Sequence, residues 1–144
     1  MVSPSTCRRG GAAVDASADG IGGTGVESGA GAVTQSGGGT TTLSGTNTYT
    51  GATTVSAGTL QVGSGSAGSI ASGSGVTVNS GATLALNLAN NASFANTIAD
   101  AGTVSFMQTG TTTVSNVISG AGAVTQAGTG TTILSGTNTY SGAT

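Results

Sequence analysis

The chain has 144 residues, a length that suits one domain. Only 4 % of them are charged and 3 % aromatic, against roughly 25 % charged in an average domain. Lys, His and Trp are absent and the net charge is −2, which argues against a basic nucleic-acid face and against catalysis by clustered acids and bases.

Residues 1–28 read as a Gly/Ala/Ser-rich, disordered leader. They hold both cations, Arg8 and Arg9, the single cysteine, Cys7, and three of the four acids, Asp15, Asp19 and Glu27. One cysteine allows no internal disulfide. No apolar run follows the arginines, so the chain as it stands shows no signal peptide. Asp15 to Gly20 resembles the start of a calcium loop, but the twelfth position is Val26 and Glu27 falls one place late. The bidentate ligand is out of register.

From Gly29 onward the chain repeats itself. Gly29 to Thr53 returns as Gly120 to Thr144 with four differences: Ser36/Ala127, Gly38/Thr129, Thr42/Ile133 and Thr50/Ser141. The offset is 91 residues (120 − 29). A shorter period lies inside it. Asn96 to Ser115 matches Asn116 to Ser135. Thr54 to Leu60 echoes, slightly more widely spaced, in Thr77 to Leu84. The local unit is therefore about 20 to 24 residues, and the long offset is close to four of them.

Each unit carries short period-2 strand signals: Val55, Leu60 and Val62; then Val76, Val78, Leu84, Leu86 and Leu88; then Val104, Phe106 and Val114. Glycine turns separate them. Helix is disfavoured because Gly, Thr, Ser and Asn dominate every helix-length window. A strand–turn–strand unit this short cannot bury its own apolar face, but copies stacked on one another can. The expected fold is all-β, a right-handed parallel β-helix (β-solenoid) of about five rungs over residues 29–144. Equivalent residues would stack about 4.8 Å apart. Asn96 and Asn116 are candidates for an amide ladder. Asp100 is the only formal charge after Gly29 and is placed at a solvent-facing turn.

Three motifs invite sharper readings. Gly63-Ser64-Gly65-Ser66-Ala67-Gly68 spells GxGxxG after a strand signal, yet a dinucleotide site also needs a helix next and an acid about 20 residues on. Ser69 to Val78 is no helix former, and the same pattern recurs at Gly20 to Gly25. The threonine runs Thr40 to Thr42, Thr111 to Thr113 and Thr131-Thr132 could align into a flat ice-binding face, but Thr77-Val78-Asn79 breaks the regular Thr-x-Thr this would need. No Ser or Thr has a His to activate it. No catalytic, cofactor-binding or metal residue is assigned.

Leu43-Ser44-Gly45-Thr46-Asn47-Thr48-Tyr49-Thr50-Gly51, then Thr54-Val55 and Gly58-Thr59-Leu60, resemble the autotransporter-associated β-strand repeat of bacterial passenger domains. Leu134 to Gly142 is a second copy, and the upstream Gly-Ala-Gly-Ala-Val-Thr-Gln blocks fit the same pattern. The resemblance implies a β-helical passenger exported across both membranes of a Gram-negative cell, with a C-terminal barrel as translocator. Its partners would be neighbouring rungs of a longer passenger and that barrel. The second copy stops at Thr144, so the chain reads as a fragment or truncated gene whose uncapped edge could self-associate. The expected role is non-enzymatic: a stalk at the cell surface. The alternative is an adhesin module for host or neighbouring cells, with its contacts in an irregular insertion at Asn87 to Asn96.

Overall fold

The computed structural model describes residues 28–144 and the backbone of two short strands before them. Every regular element among the described residues is a strand. β1 (Val14–Ala16) and β2 (Ile21–Gly23) come first. Next are β3 (Val33–Gln35), β4 (Thr40–Leu43), β5 (Thr53–Val55) and β6 (Thr59–Val62). Three triplets complete the chain. They are β7 (Val76–Val78), β8 (Thr83–Leu86) and β9 (Ala92–Phe94); β10 (Ile98–Asp100), β11 (Thr103–Phe106) and β12 (Thr111–Val114); and β13 (Ile118–Ser119), β14 (Ala123–Gln126) and β15 (Thr131–Leu134).

The strands form three parallel sheets, which are the three sides of a β-solenoid. The first side runs β1-β3-β5-β7-β10-β13, the second β2-β4-β6-β8-β11-β14 and the third β9-β12-β15. On the third side of the earlier turns, a lone Thr46–Ser69 bridge stands where strands form later. Five turns follow residue 28, as the sequence period anticipates. β1 and β2 lie within the expected leader, yet they pair with β3 and β4 and extend the first two sides. The rest of residues 1–27, with Cys7, the arginines and most of the Asp15 to Gly20 loop, lies outside the described residues.

Register explains why these residues make these strands. On the first side Val33 pairs with Thr53, then Val76, Ile98 and Ile118, one partner per turn. On the second, Thr41 pairs with Leu60, then Leu84, Val104 and Val124. Alternation sends every second side chain into the lumen, so aliphatic chains stack from Val76 to Ile118 on the first side and from Leu60 to Val124 on the second. Val55, Leu60, Val62, Val78, Leu84, Leu86, Val104 and Val114 are all fully enclosed. Each large aliphatic chain so enclosed contributes roughly 1.5–3 kcal/mol. This continuous core supplies what one turn alone cannot.

The long repeat is not a whole number of turns. Four turns on from Val33 stands Ile118. The sequence copy of Val33 is Val124, which comes after Ile118 and belongs to the second side. The first copy therefore lays Val33–Gln35 and Thr40–Leu43 on sides one and two. The second lays the equivalent Val124 to Gln126 and Thr131–Leu134 on sides two and three. The expectation of about four units is corrected to four turns plus one side. Each side offers the same short parallel edge, so one block can occupy either phase.

Three further expectations change. Asn87 to Asn96 is no irregular insertion: it contains β9, paired in register with β12, after a turn in which Asn91 has φ 62°. The amides of Asn96 and Asn116 are not hydrogen-bonded to each other. Asn96 Nδ2 donates to the carbonyls of Ala71 and Ser74 at 2.7 Å, and Asn116 Nδ2 donates to that of Ala95. The corner carbonyls of the preceding turn are the nearer acceptors. Asp100 is not at a solvent-facing turn, for the reason given below.

Candidate functional site

The repeated block closes on itself through three side-chain clasps, the first two on corner carbonyls outside the strands and the third between two side chains. At the first corner Gln35 Nε2 donates to Gly37 O at 2.8 Å, and Gln126 Nε2 donates to Gly128 O at 3.2 Å. At the second, Asn47 Nδ2 donates to Gly45 O and Asn138 Nδ2 to Gly136 O, both at 3.1 Å. At the third, the Tyr49 hydroxyl shares a 2.6 Å hydrogen bond with Thr53 Oγ1, and Thr144 Oγ1 donates to the Tyr140 hydroxyl at 3.2 Å.

All three clasps thus recur in both copies, although the copies sit on different sides. The block carries its own corners with it. This gives physical meaning to the Gly-Thr-Asn-Thr-Tyr motif: Gly supplies the carbonyl, Asn the amide that meets it, and Tyr the hydroxyl that meets the Thr four residues on. The Asn amide also reaches the neighbouring turn. Asn47 Nδ2 donates to Ser69 O at 2.7 Å, and Asn138 Oδ1 accepts from Ile118 N at 2.9 Å. Each copy therefore grips the turn beside it as well as itself. Sequence reasoning misses this corner-to-turn bonding by Asn; the recurrence of Asn next to Thr-Tyr is its only signal there.

The copies differ at one contact, which is exposed in the second copy and buried in the first. Thr132 Oγ1 donates to Gln126 Oε1 at 2.6 Å and accepts from Gln108 Nε2 at 2.7 Å. In the first copy the matching atoms, Thr41 Oγ1 and Gln35 Oε1, are buried without a partner.

Asp100 is only 1 % exposed. It follows Ile98 by two residues on β10, so alternation turns both inward. Its Oδ1 accepts from Gly102 N at 2.9 Å, and its Oδ2 has no partner. Desolvation raises its pKa above the ordinary carboxylate value, and the Gly102 hydrogen bond offsets this in part. Since Asp100 is the only acidic or basic side chain in residues 28–144, the outer surface of these turns carries no charged side chain.

The remaining candidates separate. Within the GxGxxG, Gly63, Gly65 and Gly68 all have positive φ (89°, 89° and 119°). Their segment leaves β6 by a tight turn in which Gly63 N, Ser64 N and Gly65 N donate to Leu43 O, Ala67 O and Asn87 O. The amides that would cradle a pyrophosphate are thus spent on backbone carbonyls, and a bridge rather than a helix follows. The threonines form outward columns on separate sides: Thr34, Thr54 and Thr77 on the first, and Thr40, Thr59, Thr83 and Thr103 on the second. The column two residues on reads Thr42, Gln61, Ala85, Ser105 and Thr125, so Thr-x-Thr does not repeat by turn. No helix among the described residues is long and apolar enough to cross a membrane.

On the third side the segment around Ser69 runs beside β9 without a ladder. A cleft of about 160 Å³ opens there, with Ile70, Leu88 and Phe94 in its wall and Ser69, Ser72 and Ser93 among its polar groups.

Residues 33–62 and 124–144 match the family model described as the passenger-associated-transport-repeat. No curated protein and no solved structure matches the chain.

Proposed function

We propose, for a chain that carries two passenger-associated transport repeats, a non-enzymatic structural role. It is a stretch of the surface-exposed β-helical stalk of an autotransporter passenger, working alongside a translocator barrel. The observation that carries this reading is the recurrence of all three corner clasps in both matched segments. A block that brings its own corners can be laid down turn by turn as a chain emerges, on whichever side comes next. The near absence of ionisable groups supports the same role, since few ions must be desolvated as turns stack. The inward, isolated Asp100 is poorly placed for acid–base work on a substrate.

The test places residues 28–144 between an export signal and an outer-membrane barrel in a Gram-negative host. Surface display resistant to added protease is expected, together with a loss of display when residues 33–62 are deleted. Unchanged display and protease resistance after that deletion would count against the role.

An adhesive module is the second reading, favoured by the cleft beside β9. Replacing residues 64–73 by a short Gly/Ser link should then abolish cell binding while leaving display intact. Retained binding would remove this reading.

A further inference from the structure

We propose that Asp100, Gly102 and Gly122 form a pH-sensitive latch that holds the last turns together when the carboxyl is protonated and loosens them when it ionises. The latch has a definite place. Asp100 ends β10, its Oδ1 accepts from Gly102 N at 2.9 Å, and its backbone carbonyl accepts from Gly122 N at 2.9 Å. Gly122 lies directly against the carboxyl: a Cβ added there would overlap Cγ and both oxygens. The carboxyl therefore fills the corner where the turn of β10–β12 meets that of β13–β15. Its Oδ2 is buried without a partner.

An ionised carboxylate in this corner keeps one hydrogen bond and has no cation to compensate for lost hydration. The strands packed against it, β7, β11 and β13, and the corner Gly120 to Gly122 carry no titratable side chain. The neutral acid removes the part of that cost that comes from burying the charge. Burial raises the Asp100 pKa, which fixes the sign. The stabilisation is complete below the ordinary carboxylate value. It falls through the window between that value and the raised one, and is gone above the raised value. Acid thus tightens this end of the solenoid, the reverse of common acid denaturation.

The test uses the whole chain. Amide exchange at Ile118, Gly120 and Gly122, corrected for intrinsic rates, should show an opening constant that grows by up to about tenfold per pH unit inside the window and levels off above it. Asp100→Asn should flatten that dependence. Because the variant could fold poorly, the ¹³C titration of the Asp100 carboxyl in the unaltered chain provides an independent readout. A midpoint above the ordinary aspartate range supports the latch. A midpoint within or below that range overturns it, as does a pH profile shared by the wild type and Asp100→Asn.

Discussion

Tyr49 and Tyr140 hold the same place in the two copies, which makes one substitution a direct test of how much a clasp depends on its surroundings. Tyr49 is 2 % exposed and Thr53, its partner at 2.6 Å, is fully enclosed. Tyr49→Phe keeps the ring and removes the hydroxyl, so Thr53 Oγ1 loses this partner in a dry site. A buried group left this way costs about 1–3 kcal/mol. Tyr140 is only partly buried, and its bond to the exposed Thr144 is longer, at 3.2 Å. Water can replace that partner, so Tyr140→Phe should cost less than about 0.5 kcal/mol. Adding Thr53→Val to Tyr49→Phe should show a coupling of about 1 kcal/mol. Turns of a solenoid need not unfold together, so residue-resolved amide exchange in urea is the appropriate assay. Equal losses for Tyr49→Phe and Tyr140→Phe, or no coupling between Tyr49 and Thr53, would refute the idea that burial sets the strength of the clasp.

Leu84→Ala empties the middle of the Leu60–Leu84–Val104 column and should cost about 2–5 kcal/mol, read as lost exchange protection in the turns on both sides. Asn47→Ala removes the donor to Gly45 O and Ser69 O; about 1–2 kcal/mol should be lost, with the amides of Asn47 and Ser69 becoming the first to exchange. Gly38→Thr, which installs the residue found in the second copy, meets open space and should change stability by less than about 0.5 kcal/mol. Gly122→Ala drives a methyl into the Asp100 carboxyl and should destabilise by at least about 1–3 kcal/mol in a urea titration.

Much of this architecture can be read from the residues because stacking writes itself into sequence. The match of Asn96 to Ser115 with Asn116 to Ser135 is the register of β10–β12 on β13–β15. The alternation Val104, Phe106 is the inward face of β11. Sequence and structure part where a local cue outweighs the pattern. The charge of Asp100 and the Ala-Gly after it favour a solvent placement, although Ile98 two residues earlier already points that position inward. Asn90-Asn91 looks like an interruption, but a left-handed Asn is also a way to turn a corner, and β9 follows at once. The change of phase between the copies has no signal in either copy alone. Nearly identical blocks fit two pairs of sides, and only the summed lengths of the intervening turns decide which.

Two distances measured by pulsed electron–electron double resonance decide that phase, with Cys7 replaced by Ser and nitroxides placed on outward positions. Thr42 and Thr125 share one column of the second side, four turns apart, so their backbones lie about 19 Å apart at ~4.8 Å per turn. Thr34 and Thr125 are equivalent in sequence but lie on different sides. The structure requires the Thr42–Thr125 distance to be the shorter of the two. A shorter Thr34–Thr125 distance would mean that the repeat spans whole turns, and it would contradict a block that fits either phase of the stack.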